Sequence, residues 1–228
     1  MFQGFSERTS SFFWDLSFNN ERPWFKEHKA EFDACIQQPL KALTQDVAEG
    51  LNELYPQYDW QQHVSRIYRD ARRLYGRGPF RDHMWSDFYR VGAAQREPGF
   101  WFGISAREYS WGMGFWDTTP DLMEHFRKAV EANPARFERI VTPLSKNRHF
   151  RVYGDSYKRP KGDMGPLLNP WYNCKSFSVG CSRDFGPELY DPELSKKILA
   201  DYQKLMPLYC WLLELFGPAD GPGPNWGL

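Results

Sequence analysis

Gly99-Phe100-Trp101-Phe102-Gly103-Ile104-Ser105-Ala106-Arg107-Glu108-Tyr109-Ser110-Trp111-Gly112-Met113-Gly114-Phe115-Trp116 is the stretch that decides how this chain is read. Large side chains alternate along two arms, Gly99 to Arg107 and Tyr109 to Trp116, and a period of two predicts a β-hairpin. Phe100, Phe102 and Ile104 share one face of the first arm, and Tyr109, Trp111, Met113 and Phe115 share a face of the second. Ser110, Gly112 and Gly114 occupy the other face of the second arm. Two glycines at that spacing leave a bare strip of backbone that a helix or a ligand can approach closely, and a packed helix is the commoner cause.

Working outward, Val64 to Arg69 and Met84 to Val91 read as strands before the hairpin, and Lys175 to Ser182 as one after it. Helical periodicity fills both flanks. Residues from about 6 to 55 read as helix, with Asn20 as an N-cap, Glu21 in the first turn and Trp24, Phe25, Phe32, Cys35 and Ile36 at helical spacing. Pro39 is expected to kink or split this element, after which Leu40, Leu43, Val47, Leu51 and Leu54 continue the apolar stripe. Thr119 and Asn133 each precede a proline and open two further helices. Residues 148–173, rich in Gly, Pro and charge, read as an ordered loop around short elements. A last helix is expected from Asp191-Pro192, bending near Pro207 and stopping at Gly217. Helices, then clustered strands, then helices specify an α+β fold: one domain over 1–217, with an antiparallel sheet covered by helices from both ends, and a Gly/Pro-rich flexible tail over 218–228.

Hydrophobic residues make up 41% of the chain and charged residues 25%, the balance of an ordinary globular protein. Aromatic residues reach 18%, with ten Trp, while Val and Ile are scarce, so the core is expected to be built from Trp, Phe, Tyr and Leu. The formal net charge is zero, which argues against wrapping nucleic acid by bulk electrostatics. Cys35, Cys174, Cys181 and Cys210 are widely spaced and form no C-x-x-C pair, so they read as reduced thiols of a cytoplasmic protein. Neither a signal peptide nor an apolar run of membrane-spanning length stands out.

Against zero net charge, six arginines fall within sixteen residues: Arg66-Ile67-Tyr68-Arg69-Asp70-Ala71-Arg72-Arg73-Leu74-Tyr75-Gly76-Arg77-Gly78-Pro79-Phe80-Arg81. Such density is solvated, neutralised by nearby carboxylates, or aimed at an anionic ligand. Guanidinium groups grip phosphate or carboxylate in a bidentate manner, so Arg66, Arg69, Arg72 and Arg77 are candidate ligand-binding residues. Asp70 and His83 are the acid/base candidates. A structural salt-bridge network is the competing reading of the same residues. Lys158 and Arg159, in the basic run Tyr157-Lys158-Arg159-Pro160-Lys161, read either as a solvated loop or as the second wall of a positive pocket, with Asp155 and Asp163 as their neutralising alternatives. The five histidines show no metal-binding spacing, and no Walker-A loop, G-x-G-x-x-G or G-x-S-x-G motif is present, so neither metal nor cofactor is expected. The Trp residues of the sheet, Trp85, Trp101, Trp111 and Trp116, read as core packing, with ligand stacking as the alternative.

The arginine segment resembles a bacterial family described as domain of unknown function 2461, whose pattern is R-x-x-R-D-x-R-F followed shortly by an Asp/Asn-Lys pair and then a Tyr. Arg66, Arg69, Asp70 and Arg72 match it, while Arg73 replaces the Phe and Arg77 a Lys. Asn19-Asn20-Glu21-Arg22-Pro23-Trp24-Phe25, Gly154-Asp155 with Lys158-Arg159-Pro160-Lys161-Gly162, and Lys175-Ser176-Phe177 are similar to the family as well. The resemblance runs from about Phe5 to Phe216 and implies one compact domain, with no assigned activity. Two functions are therefore weighed: an arginine-lined pocket for a small phosphate- or carboxylate-bearing molecule, with acid/base chemistry as an extension, or a non-enzymatic interaction module with a structural arginine network and an aromatic face for a protein or glycan. Membrane and nucleic-acid partners are not expected, and the sequence leaves oligomeric state open.

Overall fold

Six strands, β1 (Trp60–Val64), β2 (His83–Arg90), β3 (Pro98–Ser105), β4 (Glu108–Phe115), β5 (Arg151–Tyr153) and β6 (Ser178–Asp184), form one antiparallel sheet in the order β1-β2-β3-β4-β6-β5. The computed structural model describes residues 1–92, 97–115 and 118–216, so Trp116, Gly217 and the 218–228 tail lie outside the described residues. The alternation that predicts the hairpin also orients it: Phe100, Phe102, Ile104, Tyr109, Trp111 and Met113 are all buried. The bare strip has a different cause from the one expected. A Cβ on Gly112 would sit 2.4 Å from the Val179 carbonyl oxygen, and one on Gly114 would sit 2.5 Å from the Ser178 Cβ. The backbone that needs both glycines is the neighbouring strand β6, not a helix.

Residue contacts group into two compact units. The first comprises Met1–Phe88, Trp101–Trp111 and Ser182–Ala200. Its helices are α1 (Arg8–Phe18), α2 (Arg22–Glu27), α3 (Lys29–Phe32) and α4 (Gln38–Leu54). The expected break at Pro39 takes a specific form. Proline has no N–H, and its ring excludes the carbonyl four residues back. One π-helical turn at Asp33–Gln37 leads into α4, and the orphaned Cys35 carbonyl accepts a buried hydrogen bond from the Thr9 hydroxyl at 2.7 Å. The α4 stripe Leu40, Leu43, Val47 and Leu51 is buried, whereas Leu54 stands 44% exposed at the helix end. Asn20 is not an N-cap: α2 begins after Glu21 without a side-chain cap, and the Asn20 amide is engaged sixty residues away. The expected strand at Val64 to Arg69 is also displaced, since β1 ends at Val64 and the following residues enter a loop.

The second unit comprises Tyr89–Phe100, Gly112–Cys181 and the segment from Asp201 onward. Here α5 (Pro120–Ala132) is capped by Thr119, whose Oγ1 accepts the Leu122 N–H at 3.2 Å, and α6 (Pro134–Lys146) by Asn133, whose Oδ1 accepts the Arg136 N–H at 3.1 Å. Both caps match their sequence signals. The short elements expected within residues 148–173 are β5 and a short helix, α7 (Gly165–Tyr172). The core is aromatic, as composition implies: Phe137 packs 4.7 Å from Trp211 and Phe126 5.5 Å from Phe137 between ring centroids. The last helix, α8 (Leu194–Phe216), contributes residues to both units and carries Pro207 inside it.

Candidate functional site

The arginine segment is a closed loop of the first unit. Tyr68 and Phe80 pair antiparallel, and the Arg69 N–H to Pro79 carbonyl (2.8 Å) and Arg81 N–H to Ile67 carbonyl (2.7 Å) bonds seal its neck. Asn20 clamps the neck from outside: its Oδ1 accepts the Phe80 N–H at 2.9 Å and its Nδ2 donates to the Phe80 carbonyl at 3.0 Å. Gly78 makes room for this clamp, since a Cβ there would lie 2.3 Å from Asn20 Oδ1. The buried Phe80 ring stacks on Phe25 at 4.2 Å, and Tyr68, half exposed, leans against both. Beyond the neck, Asp70 caps a 3₁₀ turn at Ala71–Arg73, and the chain reverses through Tyr75 (φ 46°) and Gly76 (φ 78°). A left-handed Tyr is uncommon, and this one is 81% exposed.

Within this frame the guanidinium groups take different roles. Arg69 donates from Nε to the Phe80 carbonyl at 2.7 Å and reaches Asp82 only at 3.5 Å. Arg81 crosses the neck, donating from Nη1 to the Arg66 and Tyr68 carbonyls, the latter at 2.6 Å, and lies 5.1 Å from the Trp85 ring centroid. Burial, and after it the charge of Arg69, push the Arg81 guanidinium below its ordinary value. Arg72 is instead clasped by Asp70: Nε and Nη2 meet the carboxylate at 3.0 and 2.9 Å, which raises the Arg72 pKa. Arg66 and Arg77 are exposed, and among the described residues neither pairs with a carboxylate. Lys158 and Arg159 are exposed side chains of the second unit, on the segment between β5 and α7.

The two acid/base candidates differ sharply. Asp70 spends its carboxylate on the Arg72 backbone and guanidinium. His83 is half exposed, stacks on Trp85 at 5.6 Å and meets Asp82 Oδ1 through Nδ1 at 2.9 Å. Sequence reasoning missed a second carboxylate nearby. Asp87, on the same face of β2 as Trp85, is buried, accepts the Trp85 indole N–H at 2.9 Å and lies 3.5 Å from His63 Nδ1. Burial raises its pKa, with the His63 and Trp85 contacts opposing. The alternation Trp85-x-Asp87 was the available signal, because it places a carboxylate on a face shared with a large aromatic.

A separate cluster forms in the second unit. His149, Cys181 and Asp201 offer ligand atoms that all lie within 4.8 Å of one another. Linear spacing could not reveal it, because the three come from the approach to β5, from β6 and from α8.

No curated protein matches this chain. The sequence profile of a family described as conserved hypothetical protein (DUF2461) matches residues 8–211, from the start of α1 deep into α8, and the chain belongs to that family.

Proposed function

We propose that the arginine loop of the first unit binds a small phosphate- or carboxylate-bearing molecule. The neck carries this reading. Arg69 and Arg81 are part-buried like charges close enough to repel, each fixed by a main-chain carbonyl and each retaining N–H donors. A bound anion relieves that repulsion and collects charge-assisted hydrogen bonds. Arg66 and Arg77, exposed on the same loop, add charge for capture. Should chemistry follow binding, His83 is the accessible proton carrier, while Asp70 serves by holding Arg72. Cys35, Cys174 and Cys181 are buried and in no disulfide, which accords with a reducing, cytoplasmic setting. Among the described residues no helix is long and apolar enough to cross a membrane.

The competing interaction-module reading also has an observation behind it. Arg72 is already paired, Arg69 and Arg81 brace carbonyls, and Tyr68 and Tyr75 present exposed rings beside them. A thermal-shift panel of inorganic phosphate, phosphorylated metabolites and carboxylates separates the two. A native-state ligand at a hundred times its Kd stabilises by about 2.7 kcal/mol. The anion reading predicts such an increment for at least one class, lost in Arg69→Ala. If Arg69→Ala lowers the melting temperature yet keeps the full increment, the arginines are a lattice and the anion reading fails.

A further inference from the structure

We propose that His149, Cys181 and Asp201 form a zinc site with three protein ligands and a fourth position for water. The ligand set is the first argument: imidazole nitrogen, thiolate sulfur and carboxylate oxygen are the donors that a borderline-soft, four-coordinate ion takes. The second is convergence. His149 lies just before β5, the strand paired with the β6 that carries Cys181, and its ligand atom lies within 4.8 Å of those of Cys181 and Asp201. Asp201 comes from α8, and its Oδ2 meets His149 Nε2. Bond lengths of about 2.0–2.3 Å place neighbouring ligand atoms about 3.5 Å apart, so a cluster spanning 4.8 Å closes on an ion with side-chain adjustments on the order of 1 Å.

Orientation and access are also provided. The other Asp201 oxygen, Oδ1, accepts from Lys204 Nζ at 2.8 Å, which fixes the carboxylate and leaves Oδ2 aimed at the cluster. Such outer contacts orient metal ligands. Cys181 is 1% exposed, while the His149 side chain keeps 22%, a route by which an ion enters. Asn147, Phe150 and Lys204, which flank or touch His149 and Asp201, also line a cleft of about 500 Å³. On loading, the Cys181 thiol gives up its proton and the His149–Asp201 hydrogen bond is exchanged for two metal bonds, so the affinity weakens as pH is lowered and protons compete.

The test is a cobalt titration of the chelator-stripped full chain, followed by zinc displacement. The expected result is one equivalent of cobalt with a near-ultraviolet thiolate-to-metal charge-transfer band, abolished by zinc. Cys181→Ser should remove the band, Cys210→Ser should retain it, and His149→Gln should weaken binding by about tenfold or more. Folding of each variant is checked by circular dichroism; if Cys181→Ser does not fold, His149→Gln and the wild-type titration still decide. A folded wild type that takes up no cobalt, or a band that survives Cys181→Ser, overturns the site. Neither result depends on anion binding by the arginine loop.

Discussion

Asn20 carries the loop neck, because its single amide satisfies both main-chain groups of the buried Phe80. Truncation leaves the Phe80 N–H without its partner, at a cost of about 1–3 kcal/mol, while the Phe80 carbonyl keeps its bond from Arg69 Nε. Asn20→Ala is therefore expected to destabilise the protein by about 1–3 kcal/mol in urea denaturation. Gly78→Ala should act through the same contact, since its Cβ displaces the amide. The two changes should then be strongly non-additive in a double-mutant cycle, whereas independent sites add. Asp87 makes the reverse kind of prediction. Burial raises its pKa above the ordinary 3.8, so the folded state binds the proton more tightly than the unfolded chain does. Its contribution to stability is full below the unfolded value and is lost as pH rises through the elevated folded value. Asp87→Asn keeps an acceptor for the Trp85 indole and removes the buried charge. It should be more stable than wild type at neutral pH, with the difference shrinking as pH falls through the acid range. Equal stabilities across a denaturation series from acid to neutral pH would contradict this.

At the scale of elements, Thr9 and Gly112 show how one residue permits a specific turn or a close strand contact. Thr9→Val removes the hydroxyl that satisfies the Cys35 carbonyl at the π-turn before Pro39, and should cost about 1–3 kcal/mol. Gly112→Ala forces a methyl group to within 2.4 Å of the Val179 carbonyl, a main-chain atom that cannot swing aside. Overpacking of this kind costs about 3 kcal/mol or more, read as a lowered denaturation midpoint with the slope unchanged. These elements also mark what the sequence reveals. The β3–β4 hairpin was legible because alternation is a local signal, and the Thr119 and Asn133 caps were legible because each side chain serves a backbone three residues on. Asn20 looked like the same signal and was not, because its partner lies sixty residues away. The reason for the glycine strip was hidden likewise, since it depends on which strand becomes the neighbour of β4. Residues 66–69 carry strand-like alternation but pair only at Tyr68–Phe80, because arginine side chains and the 3₁₀ turn interrupt the ladder.

Taken as a whole molecule, the chain has no net charge, yet residues 66–82 hold six arginines against Asp70 and Asp82. Positive charge is thus dense in this loop within a chain of zero net charge, and long-range attraction to a polyanion is weak. A short oligonucleotide should bind poorly, if at all, at physiological salt, since affinity there tracks the number of phosphates neutralised. The family was legible from the ordered set of local motifs, and the α+β class from patterning. The His63–Asp87 contact and the His149, Cys181 and Asp201 cluster were not, because each is made by residues far apart in sequence. The most direct measurement is calorimetric titration of inorganic phosphate and pyrophosphate into the full chain at constant ionic strength, wild type against Arg66→Ala. Arg66 pairs with no carboxylate among the described residues, so the variant should fold with unchanged stability. The account predicts saturable binding to wild type and a clear loss of affinity in the variant. Identical titrations for the two proteins, or no saturable heat with either anion, would contradict it.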